Sequence, residues 1–481
     1  MKTFDPEITR GSVFRSVWKL AWPLALLYTV NGIHGVVDHM LVGWWVRDPA
    51  NAGNAGIGVA WQIFMVVSVF VASLFHGANV LIARSAGRRN AREVSEVFFT
   101  ALAGSLVFLL GVVAPTGWMA APVLIAGLTD DPVVRAHALP YLRVLFAGGT
   151  PLFLMYLFTG AFNACGHPRV PLFLALLTTI LNVIISALLI PGMGPFPALG
   201  TFGAALGTVL APAVSCAVAL GLIFARRAII LPPGAGWRPR WRMLTLITSI
   251  GVPSGIQGVL LNLGGVAMMA YIARAGQGGP ALAAYAICYA QLFSLVTWVA
   301  LGLRSASSAV MGQNIGAGNA ARGREAVRTA ALLGLFWSAG IALVFLMGAR
   351  QLLSLFGVSD PVTLELGEAL LRRLGPAGMA LAVTLALTGG IQGAGETRRP
   401  MVIAFVSQVL VLIGGSHLLY VAGMLNTLRL WDLILLAQLT RLALTVMLFR
   451  TRGWSELEFE IHLTDAPAPR ALRPQTAEEQ N

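Results

Sequence analysis

Long runs of apolar residues, separated by short polar stretches, make up most of the chain. A helix needs about 20 apolar residues to cross a bilayer, and about twelve runs of this length lie between residues 17 and 450. The pattern predicts an all-α polytopic membrane protein with about 12 transmembrane helices. The runs cover roughly residues 17–45, 55–83, 95–126, 135–163, 169–191, 201–225, 244–273, 281–311, 327–349, 362–392, 401–424 and 431–450.

The polar stretches between the runs alternate in charge. Basic segments such as RSAGRRNAREVSE (84–96) and GETRR (395–399) follow every second run, whereas LTDDP (128–132) and PGMGPFPALG (191–200) carry few basic residues. Loops rich in Lys and Arg stay on the cytoplasmic side of a membrane. The alternation supports the helix count and predicts that both termini are cytoplasmic.

An internal repeat relates two parts of the chain. The segment GHPRVP (166–171) returns as GETRRP (395–400), at a distance of 229 residues (395 − 166 = 229). One such match arises by chance, but a gapless offset from about residue 60 to residue 171 indicates a true repeat. The same offset relates Asp131-Pro132 to Asp360-Pro361, Gln62 and Phe64 to Gln291 and Phe293, and Gly87, Asn90 and Glu96 to Gly316, Asn319 and Glu325.

The repeat predicts two homologous six-helix bundles. Residues 1–228 are expected to form an N-terminal lobe with helices one to six, and residues 229–450 a C-terminal lobe with helices seven to twelve. Residues 451–481 are polar and rich in Pro and Ala, which predicts a disordered cytoplasmic tail. An even number of helices gives both lobes the same orientation. Transporters built from such parallel repeats bind their substrate between the lobes, near the membrane midplane.

The composition fits this picture and excludes others. Hydrophobic residues make up 57% of the chain and charged residues only 11%, and the net charge is +13. Basic loops facing the cytoplasm explain the positive charge, so no nucleic-acid partner is expected. The three cysteines are far apart and match no metal or disulfide pattern, so neither a metal site nor a cofactor is expected. The dominance of Arg over Lys suggests a bacterial source.

Asp38, in the stretch NGIHGVVDHMLVGWW, is the acid that lies deepest in a predicted helix. An ionisable group inside a membrane is costly and is a functional candidate by default. The alternative is a structural acid that hydroxyl or amide groups satisfy. Asn31, His34 and Asp38 are spaced i, i+3 and i+7, so they share one helix face. This face is the first candidate site for a coupling ion or a cationic substrate.

Two more residues of the first helix belong to this hypothesis. Tyr28 lies close to the face of Asp38, and Pro23 lacks a backbone N–H and is expected to loosen the helix as a hinge. Burial without a partner favours the protonated acid, whereas a nearby cation favours the ionised one. An antiporter requires that one acid binds either a proton or a cation, but never both at once.

Several motifs resemble those of the MATE (multidrug and toxic compound extrusion) transporters of the MOP flippase superfamily. The resemblance covers most of the chain up to about residue 450, and its most specific part is the repeated loop with Gly and Arg. It implies a V-shaped pair of six-helix bundles that exports amphipathic, often cationic compounds against inward flow of H⁺ or Na⁺. The motifs are MGQNIGAGNAARGREAV (311–327), GGIQGAGETRRPM (389–401), AFNACGHPRVPL (161–172), AWPLALLYTVNGIHGVVDHMLVGWW (21–45), LLTTILNVIISALLI (176–190) and GTFGAALGTVLA (200–211).

The resemblance implies that Asn182, Ser186 and Thr208 complete an ion-coupling cluster with Asp38. The chain departs from the family pattern at Ser186, where many ion-coupled members have a second carboxylate. A single acid gives a Na⁺ site less than its usual charge, so H⁺ is the expected coupling ion and Na⁺ the alternative. His34 is either a second titratable group or a packing residue that is hydrogen-bonded to Asn31 or to the backbone.

Candidate substrate contacts are expected where the lobes meet. Aromatic side chains there can hold lipophilic cations, although packing or lipid contact is the alternative for each of them. Gln257 and Asn262 replace a carboxylate that some relatives carry in helix seven. Arg304, in helix eight, has three open roles: binding an anionic group, pairing with a carbonyl, or snorkelling. The remaining candidates, on helices two and eight, are Trp61, Gln62, Phe64, Tyr285, Tyr289 and Gln291.

The sequence thus predicts a secondary active multidrug antiporter in a bacterial inner membrane. It is expected to export lipophilic cations by alternating access, as a monomer surrounded by membrane lipids. The alternative is a flippase for lipid-linked precursors of the same superfamily, although such proteins usually have about fourteen helices and a basic cavity.

An enzyme is not expected, because the sequence has no HExxH motif and no nucleophile elbow. A channel fits the unequal halves less well than alternating access does.

Overall fold

The computed structural model describes residues 3–46, 51–234, 236–276, 278–358, 360–451 and 453–455, with the side chains of residues 33–38 outside the described part. Within these ranges the regular elements are helices. Ten are long and apolar enough to cross a membrane, and a pair bent by 50° forms an eleventh span. The first helix, 33 residues long, is the twelfth. The prediction of an all-α polytopic membrane protein with about 12 spans is confirmed.

We number the spans α1 to α12 in chain order. α1 is Val13–Trp45, α2 Ala52–Gly87, α3 Ala91–Ala126, α4 the bent pair Pro132–Gly148 and Thr150–Ala164, α5 Arg169–Leu189, α6 Gly200–Phe224, α7 Trp241–Arg274, α8 Gly278–Gly316, α9 Ala320–Met347, α10 Pro361–Gly393, α11 Arg398–Val421 and α12 Thr427–Arg450.

The repeated Asp-Pro pairs start the equivalent helices α4 and α10. The carboxylate of Asp131 accepts a hydrogen bond from the backbone N–H of Val133 at 2.8 Å. The carboxylate of Asp360 accepts one from Thr363 N–H, also at 2.8 Å. Such a side chain satisfies an N–H group that the helix itself leaves unpaired, and the proline that follows has no N–H to satisfy. The sequence repeat is thus a structural repeat at these two helix starts.

The repeated glycines end the same two helices. Gly166 follows α4 with φ of 88°, and Gly395 follows α10 with φ of 89°. A side chain with a Cβ is strained in this left-handed conformation, whereas glycine adopts it readily. The two halves therefore turn from α4 into α5 and from α10 into α11 in the same way.

The first helix of each half packs against the other half. Near the basic loops α1 lies against α8, and the backbone at Ala25 leaves no room for a Cβ at Gly302. In the equivalent contact α7 lies against α2, and a Cβ at Gly77 would overlap the carbonyl of Ile247. Small residues allow membrane helices to approach this closely. The halves are therefore interlocked through two helix pairs.

Both contacts are confined to one side of the molecule. We call this the basic side, because it carries the basic loops that follow α2, α4, α6, α8 and α10. The contact of α2 with α7 continues up to Val69 beside Gly258. Two turns further along the same face of α7, a Cβ at Gly265 would have no heavy atom of the described residues within 4 Å. The halves are packed together on the basic side and diverge towards the other side.

A short helix before α1 covers the joint on the basic side. This helix, Pro6–Arg10, places the side chain of Ile8 in a fully buried position beside Gly166. The side-chain amide of Asn314 in α8 donates to the carbonyl of Ile8 at 3.2 Å. The N-terminal segment thus bridges the loop after α4 in one half and the end of α8 in the other.

Candidate functional site

Asn182, Ser186 and Thr208 form a polar cluster inside the N-terminal half. Asn182 and Ser186 lie one turn apart on α5, Thr208 lies on α6, and all three side chains are buried. A Cβ at Gly207 would overlap the hydroxyl of Ser186 and lie 3.3 Å from Nδ2 of Asn182. The glycine therefore lets α6 approach α5 at the level of these polar groups. The structure places Asn182 and Ser186 beside Gly207, the neighbour of Thr208, and their membership of one ion-coupling site stays a prediction.

Part of this cluster lacks hydrogen bonds within the described residues. The amide nitrogen and oxygen of Asn182 and the hydroxyl oxygen of Ser186 are buried there without a described partner. Leaving a buried polar group unsatisfied costs about 1–3 kcal/mol. These atoms offer both donors and acceptors to a group outside the described part of the chain.

The backbone of α1 passes this cluster. Leu27 of α1 packs with Leu172 and Ala175 of α5, and as first and fifth spans the two helices run in the same direction. Both helices rise by about 1.5 Å per residue, so residues that are level with each other keep a constant difference in residue number. This difference is 145 (172 − 27) to 148 (175 − 27) at Leu27. Adding it to 38 places residue 38 level with residues 183–186 of α5. The side chains of Asp38 and His34 lie outside the described residues, and their contacts stay predictions.

The other predicted residues of α1 differ in their surroundings. Pro23 lies inside the helix and is buried. Tyr28 is half-buried, with its hydroxyl near the hydroxyl of Ser305 and within electrostatic range of Arg304 in α8. Asn31 is exposed. Tyr28 thus faces the C-terminal half.

Arg304 is the centre of a second polar group, which we call the arginine network. Its Nη2 atom donates to Oε1 of Gln392 at 2.8 Å. Nε2 of Gln392 in turn donates to Oε1 of Gln257 at 2.6 Å. The ring of His76 on α2 lies beside the backbone carbonyl of Gln392. It is also close enough to Arg304 to interact with the charge of its guanidinium group. The network joins α8, α10 and α7 of one half to α2 of the other, and it includes the predicted residues Gln257 and Arg304.

A second buried arginine belongs to the same region. Arg441 in α12 has only 3% of its surface exposed and lies within electrostatic range of Arg304 and Tyr289. The ring of Tyr289 stacks on that of Tyr285, with the centroids 4.9 Å apart. Arg441 is missing from the sequence-based candidates, although an arginine in the middle of an apolar run is a signal that hydropathy reveals.

A small cleft of about 10 Å³ lies beside these tyrosines in the C-terminal half. The polar side chains that line it come from α8, α11 and α12, and glycines of α7 form its opposite wall. Its lining includes Gly264, Gly265, Tyr285, Tyr289, Gln408 and Gln438. Two of the predicted aromatic residues therefore border a cleft that also carries amide groups.

The remaining predicted substrate contacts do not converge on one place. Phe64 is fully buried and packs with Phe146 and Phe153, so it belongs to the core of the N-terminal half and not to a cavity wall. Trp61 is half-buried beside Phe64, while Gln62, Gln291 and Asn262 are exposed. The amide of Asn262 donates to the carbonyl of Gly258 in its own helix. The apolar pattern placed these residues on the right helices, but it did not predict the directions in which their side chains point.

Twelve spans in two similar halves, which pack together on the basic side and carry buried polar groups where they meet, are typical of a membrane transporter. The sequence profile of the MatE family matches residues 23–188 and 253–415, which is one segment in each half. The chain belongs to this family, the MATE transporters. The two matched segments begin at Pro23 and Pro253, each within the first helix of its half.

Curated relatives share this family. The chain is 28% identical to the probable multidrug resistance protein NorM of Deinococcus radiodurans over 466 residues, which cover 93% of this chain and 98% of the relative. It is 26% identical to the protein of the same description from Thermotoga maritima, over 84% of this chain and 85% of the relative. Both names describe probable multidrug resistance proteins.

Solved structures share the fold. A structure described as the outward-facing conformation of a multidrug resistance MATE family transporter superimposes with a TM-score of 0.84 at 20% identity, covering 93% of this chain and 97% of that one. A MOP superfamily transporter from Pyrococcus furiosus, described as having a binding pocket of reverse polarity, superimposes with a TM-score of 0.83 at 19% identity, covering the same shares. The chain thus has the V-shaped MATE fold of two six-helix bundles.

Proposed function

We propose that this transporter is a multidrug efflux antiporter that couples the export of lipophilic cations to the entry of protons through Asp38. The observation that supports this most directly is the N-terminal cluster. Buried atoms of Asn182 and Ser186 have no partner among the described residues, at the level where α1 carries position 38. These atoms are suited to hold one carboxyl group in either protonation state.

The chemistry of the cluster favours protons. A protonated carboxyl group donates to an amide or hydroxyl oxygen, and an ionised one accepts from an amide N–H or a hydroxyl, so the same partners serve both states. Dehydrating Na⁺ inside a protein needs several oxygen ligands and usually more than one negative charge. Ser186 supplies a hydroxyl where a second carboxylate would provide that charge. Na⁺ is therefore the alternative coupling ion.

The coupling is proposed to operate in the N-terminal half alone. With the repeat offset of 229, position 38 corresponds to Ala267 (38 + 229 = 267), and with the offset of the two matched prolines to Met268 (38 + 253 − 23 = 268). Neither residue titrates. Asn182 likewise corresponds to Val411 (182 + 229 = 411). A proton released by Asp38 on one side of the membrane would thus have no equivalent acceptor in the other half.

The cavity is proposed to face the outside of a bacterial cytoplasmic membrane. By the positive-inside rule the basic side, which is closed, faces the cytoplasm. A cationic substrate released outward from this state is replaced at Asp38 by a proton. The protonated, neutral acid then allows the molecule to close outside and to open inside, where the proton leaves and the next substrate binds. We propose that the protein performs this cycle as a monomer.

Transport in proteoliposomes tests the proposal. With the purified protein, a pH gradient is expected to drive movement of the cationic dye rhodamine B ethyl ester, and a protonophore to abolish it. Asp38→Asn should reduce transport to the level of empty liposomes. Asp432→Asn is the matched control, because Asp432 is exposed in an ion pair with Arg373 (2.6 Å) at the membrane surface. Full pH-driven transport by Asp38→Asn would refute the role of Asp38, and transport that only a Na⁺ gradient drives would refute proton coupling.

A further inference from the structure

The arginine network carries positive charge without a described counter-ion. The hydrogen bond of Arg304 goes to the neutral amide of Gln392. Among the described residues, the ion pairs involve carboxylates near helix ends and loops, and none of them includes Arg304 or Arg441. A buried charge is normally paired, because removing it from water is costly. Among the described residues, the interior of the C-terminal half therefore has more positive than negative charge.

Arg441 makes this excess stronger. It is almost fully buried, and its Nη2 atom has no hydrogen-bond partner among the described residues. It also lies within electrostatic range of Arg304, so two like charges disfavour each other in a region of low dielectric constant. A negatively charged ligand that reached both groups would relieve the repulsion and supply the missing partner.

The neighbouring side chains are suited to the rest of such a ligand. Oε1 of Gln438 is another buried atom without a described partner, on the same helix as Arg441. The stacked rings of Tyr285 and Tyr289 form one wall of the cleft. Tyr289 is also close enough to Arg441 for an electrostatic interaction. Aromatic walls hold flat apolar groups, while guanidinium groups bind planar anions with two parallel hydrogen bonds.

We propose that the C-terminal half holds an anion subsite, in which Arg304 and Arg441 bind the carboxylate, sulfonate or phosphate group of an amphipathic substrate. This inference rests on the proposed function and names a substrate class for it. The substrates include zwitterions, whose cationic group faces the Asp38 side of the cavity and whose anionic group enters the C-terminal half. The two halves thereby differ in the charge that they bind.

The headgroup of an anionic lipid has the same chemistry as the anionic group of a drug. Both carry an oxyanion next to an apolar body, so both fit a pair of guanidinium groups beside aromatic rings. Binding in membranes of defined lipid composition separates the two sources.

A matched pair of dyes tests the subsite. Rhodamine B has a free carboxylate, and its ethyl ester has the same ring system and cationic charge without that carboxylate. In nanodiscs of phosphatidylcholine, fluorescence anisotropy should show that the wild type binds the free acid about tenfold more tightly than the ester. Arg441→Gln and Arg304→Gln should each weaken binding of the free acid to the level of the ester, whereas Arg441→Lys should keep part of the preference.

Two controls separate binding from folding. Arg373→Gln removes a half-buried arginine of α10 that is paired with the exposed Asp432, so it should keep the full preference for the free acid. The thermal midpoint of Arg441→Gln without ligand should equal or exceed that of the wild type, because the variant loses a buried charge that has no carboxylate partner among the described residues. An arginine with only a structural role would instead lower the midpoint and weaken the binding of both dyes.

The outcomes are distinct. Loss of the free-acid preference when phosphatidylglycerol replaces phosphatidylcholine would identify a lipid headgroup as an occupant of the same subsite. Equal affinity of the wild type for both dyes in phosphatidylcholine, or an unchanged preference in Arg441→Gln and Arg304→Gln, would overturn the subsite. In that case pH-driven transport of the ester would still support the proposed function. Failure of the wild type to bind or transport the ester would count against the proposed function itself.

Discussion

Arg84 and Gln313 occupy equivalent positions in the two halves, 229 residues apart (313 − 84 = 229), and each bonds to the opposite half. Nη2 of Arg84 donates to the carbonyl oxygen of Ala394 at 2.6 Å, and Nε2 of Gln313 donates to that of Ala164 at 2.7 Å. The acceptors lie at the ends of α10 and α4, which are themselves equivalent. The basic side is thus closed by a pair of hydrogen bonds with pseudo-two-fold symmetry.

Removing these bonds should shift the molecule towards the state that is open on the basic side. A neutral buried hydrogen bond contributes about 1 kcal/mol, and one from a charged donor about 1.5–3 kcal/mol. Gln313→Ala should therefore raise the population of the open state about fivefold, and Arg84→Ala more than that. Distances between spin labels on the ends of α4 and α10 measure the two populations. Gln351→Ala, at an exposed position on the other side, serves as the control and should leave them unchanged.

A methyl group at the joint between α2 and α7 should have a similar effect through packing. In Gly77→Ala the new Cβ overlaps the backbone of Ile247, so α7 must move away, at a cost of about 1–3 kcal/mol. Gly265→Ala lies two turns beyond the joint, with no described atom within 4 Å of the added Cβ, and should be neutral or stabilising. Thermal unfolding and the same label distances distinguish the variants. If both glycine variants behaved alike, the close approach at Gly77 would have no energetic importance.

Replacing Asn182 should impair coupling and leave substrate binding intact. If its amide bonds to the carboxyl group of Asp38, Asn182→Ala removes a charge-assisted hydrogen bond of about 1.5–3 kcal/mol. Proton-driven transport should then fall by about tenfold or more, while anisotropy should show unchanged binding of the ester. Asn262→Ala removes an exposed amide that bonds only within its own helix, and it should retain transport. Equal losses in the two variants would argue against an ion-coupling role for the N-terminal cluster.

The cap of α10 should give stability that depends on pH. Hydrogen bonds from the hydroxyl and then the backbone N–H of Thr363 hold the pKa of Asp360 below its ordinary value. The carboxylate therefore stabilises the fold fully above the unfolded-chain pKa of about 4, and this contribution is lost as the pH falls through the lower pKa of the folded state. Asp360→Ala should lower the thermal midpoint at pH 7, and its difference from the wild type should shrink in acid.

Asp360→Asn is the control for this effect. Asparagine caps a helix about as well as aspartate but does not titrate in this range. Its thermal midpoint should thus stay near that of the wild type at pH 7. A difference between Asp360→Ala and the wild type that is constant from neutral to acidic pH would show that the charge of the cap is unimportant.

The sequence by itself determined the spans, the repeat and one candidate acid. Hydropathy is a property of a local stretch, so the apolar runs could be counted without knowledge of their neighbours. The repeated Asp-Pro and Gly positions act through their own helix ends, which is why Asp131 and Asp360, and Gly166 and Gly395, have equivalent roles in the structure. Asp38 stood out because a carboxylate is rare at such a depth.

Only the tertiary structure decided which side chains meet. Arg304 and Gln392 are 88 positions apart, and Arg84 and Ala394 are 310 apart. Their contacts depend on how each helix is rotated and where it crosses another, and hydropathy contains no such information. For the same reason Phe64 belongs to the core, and Arg441, absent from the sequence-based candidates, lies beside Tyr289. The apolar pattern places a residue in the membrane, but helix packing determines whether it faces lipid, core or cavity.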